Sequence, residues 1–132
     1  IDYMLENGLK DLKQSPRWVD GSGLSRYNLF SPESIVYVLN AMYKEVPKER
    51  LFNLFAQGGK SGTIADWYPG NPHPYIYAKT GTLGNNHNIS GYLITKSGKT
   101  LIFSFMNNHF MNPASEVKKQ MQSIFEWLRD NY

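Results

Sequence analysis

The sequence changes its hydrophobic period near residue 75, and this change limits the folds open to the chain. Three runs rich in β-branched and aromatic residues follow: YIYAKT (75–80), ISGYLITK (89–96) and TLIFSFMN (100–107). The tetrapeptide KSGK (96–99) between the second and third runs is typical of a hairpin turn. The pattern therefore predicts an antiparallel three-stranded meander. Because its third run is apolar on both faces, we expect that run to be a central strand.

Helical patterns precede the predicted meander. Residues 2–13 carry apolar side chains at helical spacing. Ser31 is placed to cap a second helix that has Pro32 at its first position, and this helix should end before Pro47. A third helix is predicted from Pro47 to a glycine pair at 58–59.

The rest of the chain completes an α+β pattern. Residues 60–74, with four prolines and glycines between 69 and 74, are predicted as a loop. A last helix should begin near Pro113, with an apolar stripe made of Val117, Met121, Ile124, Phe125 and Leu128. Helices, meander and final helix together predict one α+β unit over residues 1–132.

Composition excludes several classes of function. The net charge is only +3 and the lysines are scattered, so we expect no nucleic-acid partner. The absence of cysteine excludes thiol catalysis, cysteine-bound zinc and disulfides. No apolar run is long enough to span a membrane, and no signal peptide is visible. The three histidines, His73, His87 and His109, do not form a ligand set, and we interpret them as solvated loop residues.

Two similar tetrapeptides suggest a site, KSGT (60–63) and KTGT (79–82). On a strand, the lysine and glycine share one face and the hydroxyl residue takes the other. At a cleft, the ammonium and the hydroxyl can bind a carboxylate. The glycine lets the backbone of a ligand approach closely. The amide of the following residue can donate to a developing oxyanion. Only the second tetrapeptide ends a strand-like run; the first is predicted to be a turn. Lysine at a strand end is also common on ordinary surfaces.

A second motif, DGSGLSRYNLFSP (20–32), lies upstream. This motif, followed later in the chain by Lys-Thr-Gly, resembles the signature of the low-molecular-mass class C penicillin-binding proteins. These proteins form the D-alanyl-D-alanine carboxypeptidase/endopeptidase family. GKSGTI (59–64) is similar to a Gly-x-x-Gly-Thr-Leu segment of that family. The resemblance covers nearly the whole chain and implies the C-terminal part of a β-lactamase/transpeptidase-like domain. We interpret the signature loop as structural; its residues are Asp20, Gly21, Ser22, Gly23, Ser25, Arg26 and Asn28.

The residues of that loop also have a simpler interpretation. Asp20-Gly21 favours a tight turn, and the hydroxyls of Ser22 and Ser25 can bond the local backbone. Arg26 can pair with a buried carboxylate for structural reasons alone.

The resemblance implies a serine acyl-enzyme mechanism on peptidoglycan stem peptides, with β-lactams as acylating inhibitors, a cell-envelope location and no cofactor. Lys79 would contribute positive charge, Thr80 would bind the terminal carboxylate, Gly81 would permit close approach, and the amide of Thr82 would be an oxyanion donor. In the resembling fold the strand that leads into Lys79 is an outer strand that receives the substrate.

The catalytic serine of the family is missing from the expected position. Neither Ser-x-x-Lys nor Ser-x-Asn precedes Lys79, and the one Ser-x-x-Lys starts at Ser115, at the predicted start of the last helix, where a serine usually caps. Since a helical stripe already begins at Ile1 without an initiator Met, we expect a piece of a longer protein that is inert alone. In the resembling fold the run from Leu101 to Met106 pairs with a strand that this chain lacks, so we expect an open edge there that favours self-association.

Two other interpretations stay open. One is a non-catalytic module of the same fold that binds peptidoglycan or a protein. The other is a hydrolase that is complete in 132 residues and uses Ser115.

Overall fold

The computed structural model describes all residues from 1 to 132 and combines four α-helices with one antiparallel sheet. Its helices are α1 (Asp2–Asn7), α2 (Pro32–Glu45), α3 (Lys48–Asn53) and α4 (Ala114–Asn131). Its strands are β1 (Ala56–Gln57), β2 (Ile76–Leu83), β3 (Asn86–Ile94) and β4 (Thr100–Asn108), and a 3₁₀ helix (Gly62–Ile64) follows β1. The α+β class is confirmed, although the sheet has four strands, in the order β1-β2-β3-β4, where three were predicted.

The start of α2 follows from its sequence. The Ser31 hydroxyl accepts a hydrogen bond from the Ser34 amide at 3.1 Å, and Pro32 occupies the first turn, as predicted. The helix ends at Glu45, before Pro47.

Three helix predictions were wrong in their bounds or caps. Helix α1 ends at Asn7 instead of residue 13, because Gly8 follows it and glycine weakens a helix by about 1 kcal/mol relative to alanine. Helix α3 ends at Asn53, and the next residues pair with β2 as the short strand β1. Helix α4 begins after Pro113 with no side-chain cap, so Ser115 is an exposed first-turn residue and not a cap.

The sheet is covered by helices on both faces. Alternate residues Ile76, Ala78, Ile89 and Leu93 pack with the buried stripe of α4, which is Val117, Met121 and Phe125; Ile124, predicted in that stripe, is exposed. The opposite face packs with α2 and α3 around Tyr92, whose hydroxyl donates to the Leu39 carbonyl at 2.8 Å.

Strand β4 lies at the edge of the sheet, as expected for residues 1–132 by themselves, and not at the central position that its apolar pattern suggested. Its apolar character on both faces has another cause. Leu101, Phe103 and Phe105 pack on the α4 side, and Ile102 packs on the α2 side. An edge strand between two helical layers needs apolar residues on both faces, just as a central strand does.

Strands β2 and β3 approach each other so closely at Gly91 that only glycine can occupy this position. A Cβ at Gly91 would lie 2.1 Å from the Tyr77 carbonyl oxygen and 2.7 Å from the Ala78 Cα. No side chain fits at that distance, so the packing of these two strands requires glycine there.

None of the helices has both the length and the apolar character that a membrane crossing needs.

Candidate active site

The second half of β2 has a free outer edge. Strand β1 pairs only with Tyr77 and Ala78, whereas the inner edge of β2 pairs with β3 along its whole length, from Ile76 to Leu83. The predicted outer strand is therefore covered for two residues and open from Lys79 onward. An open edge of this kind can accept an extended peptide as an added strand.

Lys79 is exposed and forms no ion pair. Its ammonium donates to the Thr80 carbonyl at 2.6 Å. The alternation of the strand places Lys79 and Gly81 on the face of Tyr77, and the hydroxyls of Thr80 and Thr82 on the opposite face. The charge of Lys79 is thus available to an anionic ligand.

Thr80 contacts a residue of the first tetrapeptide. Its Oγ1 lies 2.6 Å from the Oγ1 of Thr63, which belongs to the 3₁₀ helix. Gly62 makes this approach possible, because its φ of +63° suits glycine and an added Cβ would lie 2.7 Å from the Ala56 Cβ. The turn predicted at Lys60 is observed, but the contribution of Thr63 to the site was missed.

Thr82 contacts a buried histidine. The Oγ1 of Thr82 lies 2.8 Å from the Nδ1 of His87, its partner across β2 and β3. His87 is only 1% exposed, so its interpretation as a solvated loop residue was wrong, whereas His73 and His109 are exposed. Burial lowers the pKa of His87, and the positive charge of Lys118 lowers that pKa further.

The signature loop bonds its own backbone. Asn28 accepts hydrogen bonds from the amides of Val19 (2.8 Å) and Asp20 (3.2 Å) and donates to the Asp20 carboxylate at 3.1 Å. Asp20 also accepts from the amide and the hydroxyl of Ser22, at 3.1 and 3.0 Å. Hydrogen bonds from Asn28 and then Ser22 hold the pKa of the Asp20 carboxyl below its ordinary value.

The hydroxyls of the loop are engaged in the same way. The Ser22 hydroxyl accepts from the Leu24 amide at 3.0 Å, and the Ser25 hydroxyl accepts from the Tyr27 amide at 3.2 Å. Arg26 is exposed and forms no ion pair, so the structural pairing with a carboxylate is not observed.

The signature loop and the β2 edge face each other across a cleft of about 1130 Å³. Its lining includes loop residues Asp20 to Ser25, strand residues Lys79 to Leu83, and Thr63, His87 and Lys118. Ser115 does not line this cleft. The cleft combines lysine ammoniums, threonine hydroxyls and open backbone amides, an arrangement suited to binding the carboxylate end of a peptide. It contains no serine paired with a lysine or histidine base.

The fold defines a class of protein. The structure superposes on that of penicillin binding protein 4 (dacB) from Haemophilus influenzae with a TM-score of 0.79 at 24% identity, covering 93% of this chain and 30% of that one. It also matches the Bd0816 predatory endopeptidase of Bdellovibrio bacteriovorus, solved with the immunity protein Bd3460, with a TM-score of 0.77 at 20% identity, covering 96% of this chain and 35% of that one. The fold is that of a penicillin-binding protein domain.

The family follows from the sequence comparison. The model of the D-Ala-D-Ala carboxypeptidase 3 (S13) family matches residues 12–131, and the chain belongs to this family. It is 30% identical over 116 residues to the D-alanyl-D-alanine carboxypeptidase DacB of H. influenzae, covering 86% of this chain and 24% of DacB. It is also 30% identical over 107 residues to the penicillin-sensitive carboxypeptidase A of Dictyostelium discoideum, covering 75% of this chain and 20% of that protein. The chain therefore spans a quarter or less of these relatives.

Proposed function

We propose that residues 1–132 are the C-terminal part of a serine D-alanyl-D-alanine carboxypeptidase/endopeptidase domain that acts on peptidoglycan stem peptides. The observation that carries this proposal is the open strand edge at Lys79, which faces the signature loop across one cleft. The names of the relatives support the same chemistry, and one H. influenzae structure, 26% identical, was solved with a β-lactam. The protein acts in the cell envelope, where peptidoglycan lies.

Each strand residue has a proposed role. The substrate adds to the free edge of β2 as an extended strand. Lys79 contributes positive charge, the Thr80 hydroxyl binds the terminal carboxylate, and Gly81 lets the peptide approach the backbone. The Thr82 amide is one donor to the oxyanion that forms when the serine attacks the penultimate D-Ala carbonyl. The signature loop forms the opposite wall and is structural.

The nucleophile comes from outside residues 1–132 in this proposal. A serine without an activating base is a weak nucleophile, and removal of one member of a catalytic set costs several orders of magnitude in rate. We therefore propose that the isolated chain is inactive. We further propose that it self-associates through the outer edge of β4, because no lysine, glutamate or proline interrupts the segment between Leu101 and Met106.

A matched pair of threonine variants tests the proposed function in the intact protein. D-Ala release is measured from a stem pentapeptide ending in D-Ala-D-Ala, with and without penicillin. The intact protein should release D-Ala and lose this activity with penicillin. Thr80→Val should raise the KM about tenfold, the equivalent of one lost hydrogen bond to a charged group, whereas Thr100→Val, outside the cleft, should not. Pentapeptide binding without any D-Ala release would instead support a non-catalytic binding module.

A further inference from the structure

His87 is a buried polar side chain with a single side-chain partner. It is 1% exposed, and its Nδ1 lies 2.8 Å from Thr82 Oγ1. Its Nε2 is buried and makes no hydrogen bond. The neighbouring strand residue Asn107 is neutral and contacts the backbone of His87, donating from Nδ2 to its carbonyl at 3.2 Å. Because the burial of polar atoms costs free energy, we looked for the role of this buried imidazole ring.

Lys118 is the charged group that acts on His87 from the helical layer. It lies on α4 and lines the same cleft, and its ammonium is held 4.9 Å from the centre of the Trp67 ring. Burial, and after it this positive charge, lowers the pKa of His87, which favours the neutral imidazole at pH 7.

A neutral imidazole carries one N–H, and its position can be argued from the surroundings. A proton on Nε2 would leave a buried N–H without an acceptor, and orphaned N–H groups are rarer in proteins than under-used acceptors. A proton on Nδ1 leaves only a lone pair at Nε2. It also lets Nδ1–H donate to Thr82 Oγ1 across the 2.8 Å contact.

This choice of tautomer determines what Thr82 offers to a ligand. Once Oγ1 accepts from His87, the hydroxyl proton of Thr82 is free to donate elsewhere. Thr82 is exposed and lines the cleft beside Lys79 and Thr80. We propose that His87 is a positioning residue that holds the Thr82 hydroxyl as a hydrogen-bond donor directed at the terminal carboxylate of the substrate. The inference rests on the proposed function for the identity of the carboxylate, but not for the tautomer.

The tautomer is tested first, because it can be measured without activity. The intact protein is labelled with ¹⁵N at histidine, and the signals of His87 are assigned by their loss in His87→Asn. At pH 7.5 we expect a protonated Nδ1 and an unprotonated Nε2. A protonated Nε2, or rapid averaging of both tautomers, would overturn the inference.

The positioning role is tested with two substrates that differ only at the C-terminus. His87→Leu should lower kcat/KM for the free-acid pentapeptide about tenfold, because the Thr82 hydroxyl is no longer held in place to donate to the charged carboxylate. The loss should be clearly smaller for the C-terminally amidated peptide, because its neutral carbonyl accepts a weaker hydrogen bond from Thr82 than a carboxylate does. His87→Asn, which keeps an N–H donor, should restore most of the rate. Equal losses for both peptides would show a merely structural role and overturn the inference.

A double-mutant comparison separates this inference from the proposed function. If Thr82 carries the effect, His87→Leu should change nothing further in a Thr82→Val background. Additive losses would contradict the positioning role. If the unmodified intact protein cleaves neither peptide, the proposed function is wrong, and the ¹⁵N result still decides the state of His87.

Discussion

Lys79 and Lys60 begin nearly identical tetrapeptides that lie in different local structure. Lys79 is on a strand edge and lines the cleft, whereas Lys60 is in a turn and does not line it. In the intact protein, Lys79→Ala should lower the rate of penicillin acylation on the order of a hundredfold, because an electrostatic contribution to the transition state is lost. Lys60→Ala is the matched control and should stay near the original rate. Equal losses would overturn the assignment of the site to residues 79–82.

The buried His87 predicts how stability depends on pH. Its folded pKa lies below its ordinary value of 6.5, so the unfolded state binds the proton more readily. The contribution of His87 to stability is therefore complete above pH 6.5 and is lost as the pH falls from 6.5 through the lower folded pKa. Urea unfolding midpoints between pH 7.5 and 5 measure this. The fall in stability toward pH 5 should be smaller in His87→Asn than in the unmodified chain. It should be unchanged in His73→Asn, which alters an exposed loop residue. An equally large fall in His87→Asn would contradict the account.

At the scale of elements, local signals predicted the long helices and the meander. Ser31 and Pro32 mark the start of α2, and the hairpin between β3 and β4 follows its Ser-Gly turn. Two features gave no local signal. Strand β1 has two residues, too few for a period, and exists because β2 offers it a partner. The contact between Thr63 and Thr80 joins residues 17 apart and arises only when the turn folds against the strand.

The burial of His87 was missed for a related reason. Its asparagine neighbours are typical of a loop, yet cross-strand pairing with Thr82 draws the segment into β3. A hydroxyl residue opposite a histidine at the start of a hairpin was the signal available in the sequence. By contrast, the position of Lys79 on a strand could be predicted from the sequence, because an apolar run leads directly into it.

Two glycines of the sheet should respond differently to alanine. A Cβ at Gly91 would clash with the backbone of Tyr77 and Ala78, so Gly91→Ala should lower the free energy of unfolding by about 1–3 kcal/mol. Nothing lies within 4 Å of a Cβ at Gly81, so Gly81→Ala should leave stability nearly unchanged and reduce penicillin acylation of the intact protein. Urea unfolding and acylation rates measure both effects. Loss of stability in Gly81→Ala would mean that this glycine serves packing and not substrate approach.

At the scale of the whole molecule, the outer edge of β4 is unpaired. Its residues 101–106 are half-buried between helices, but their backbone groups on the outer side are open to another strand. We expect the chain to dimerise, and light scattering after size exclusion over a dilution series measures this. A monomer at all concentrations, with slow amide exchange throughout 100–106, would show that the chain protects this edge itself.

Mapping the penicillin adduct tests the central claim most directly. The intact protein and the isolated chain are each incubated with penicillin, and their masses are measured before and after proteolysis. The account predicts one adduct on the intact protein, at a serine outside residues 1–132, and none on the isolated chain. Lys79, Thr80 and Thr82 then serve a nucleophile held elsewhere in the fold. A stoichiometric adduct within residues 1–132, at Ser115 or any other serine, would contradict it.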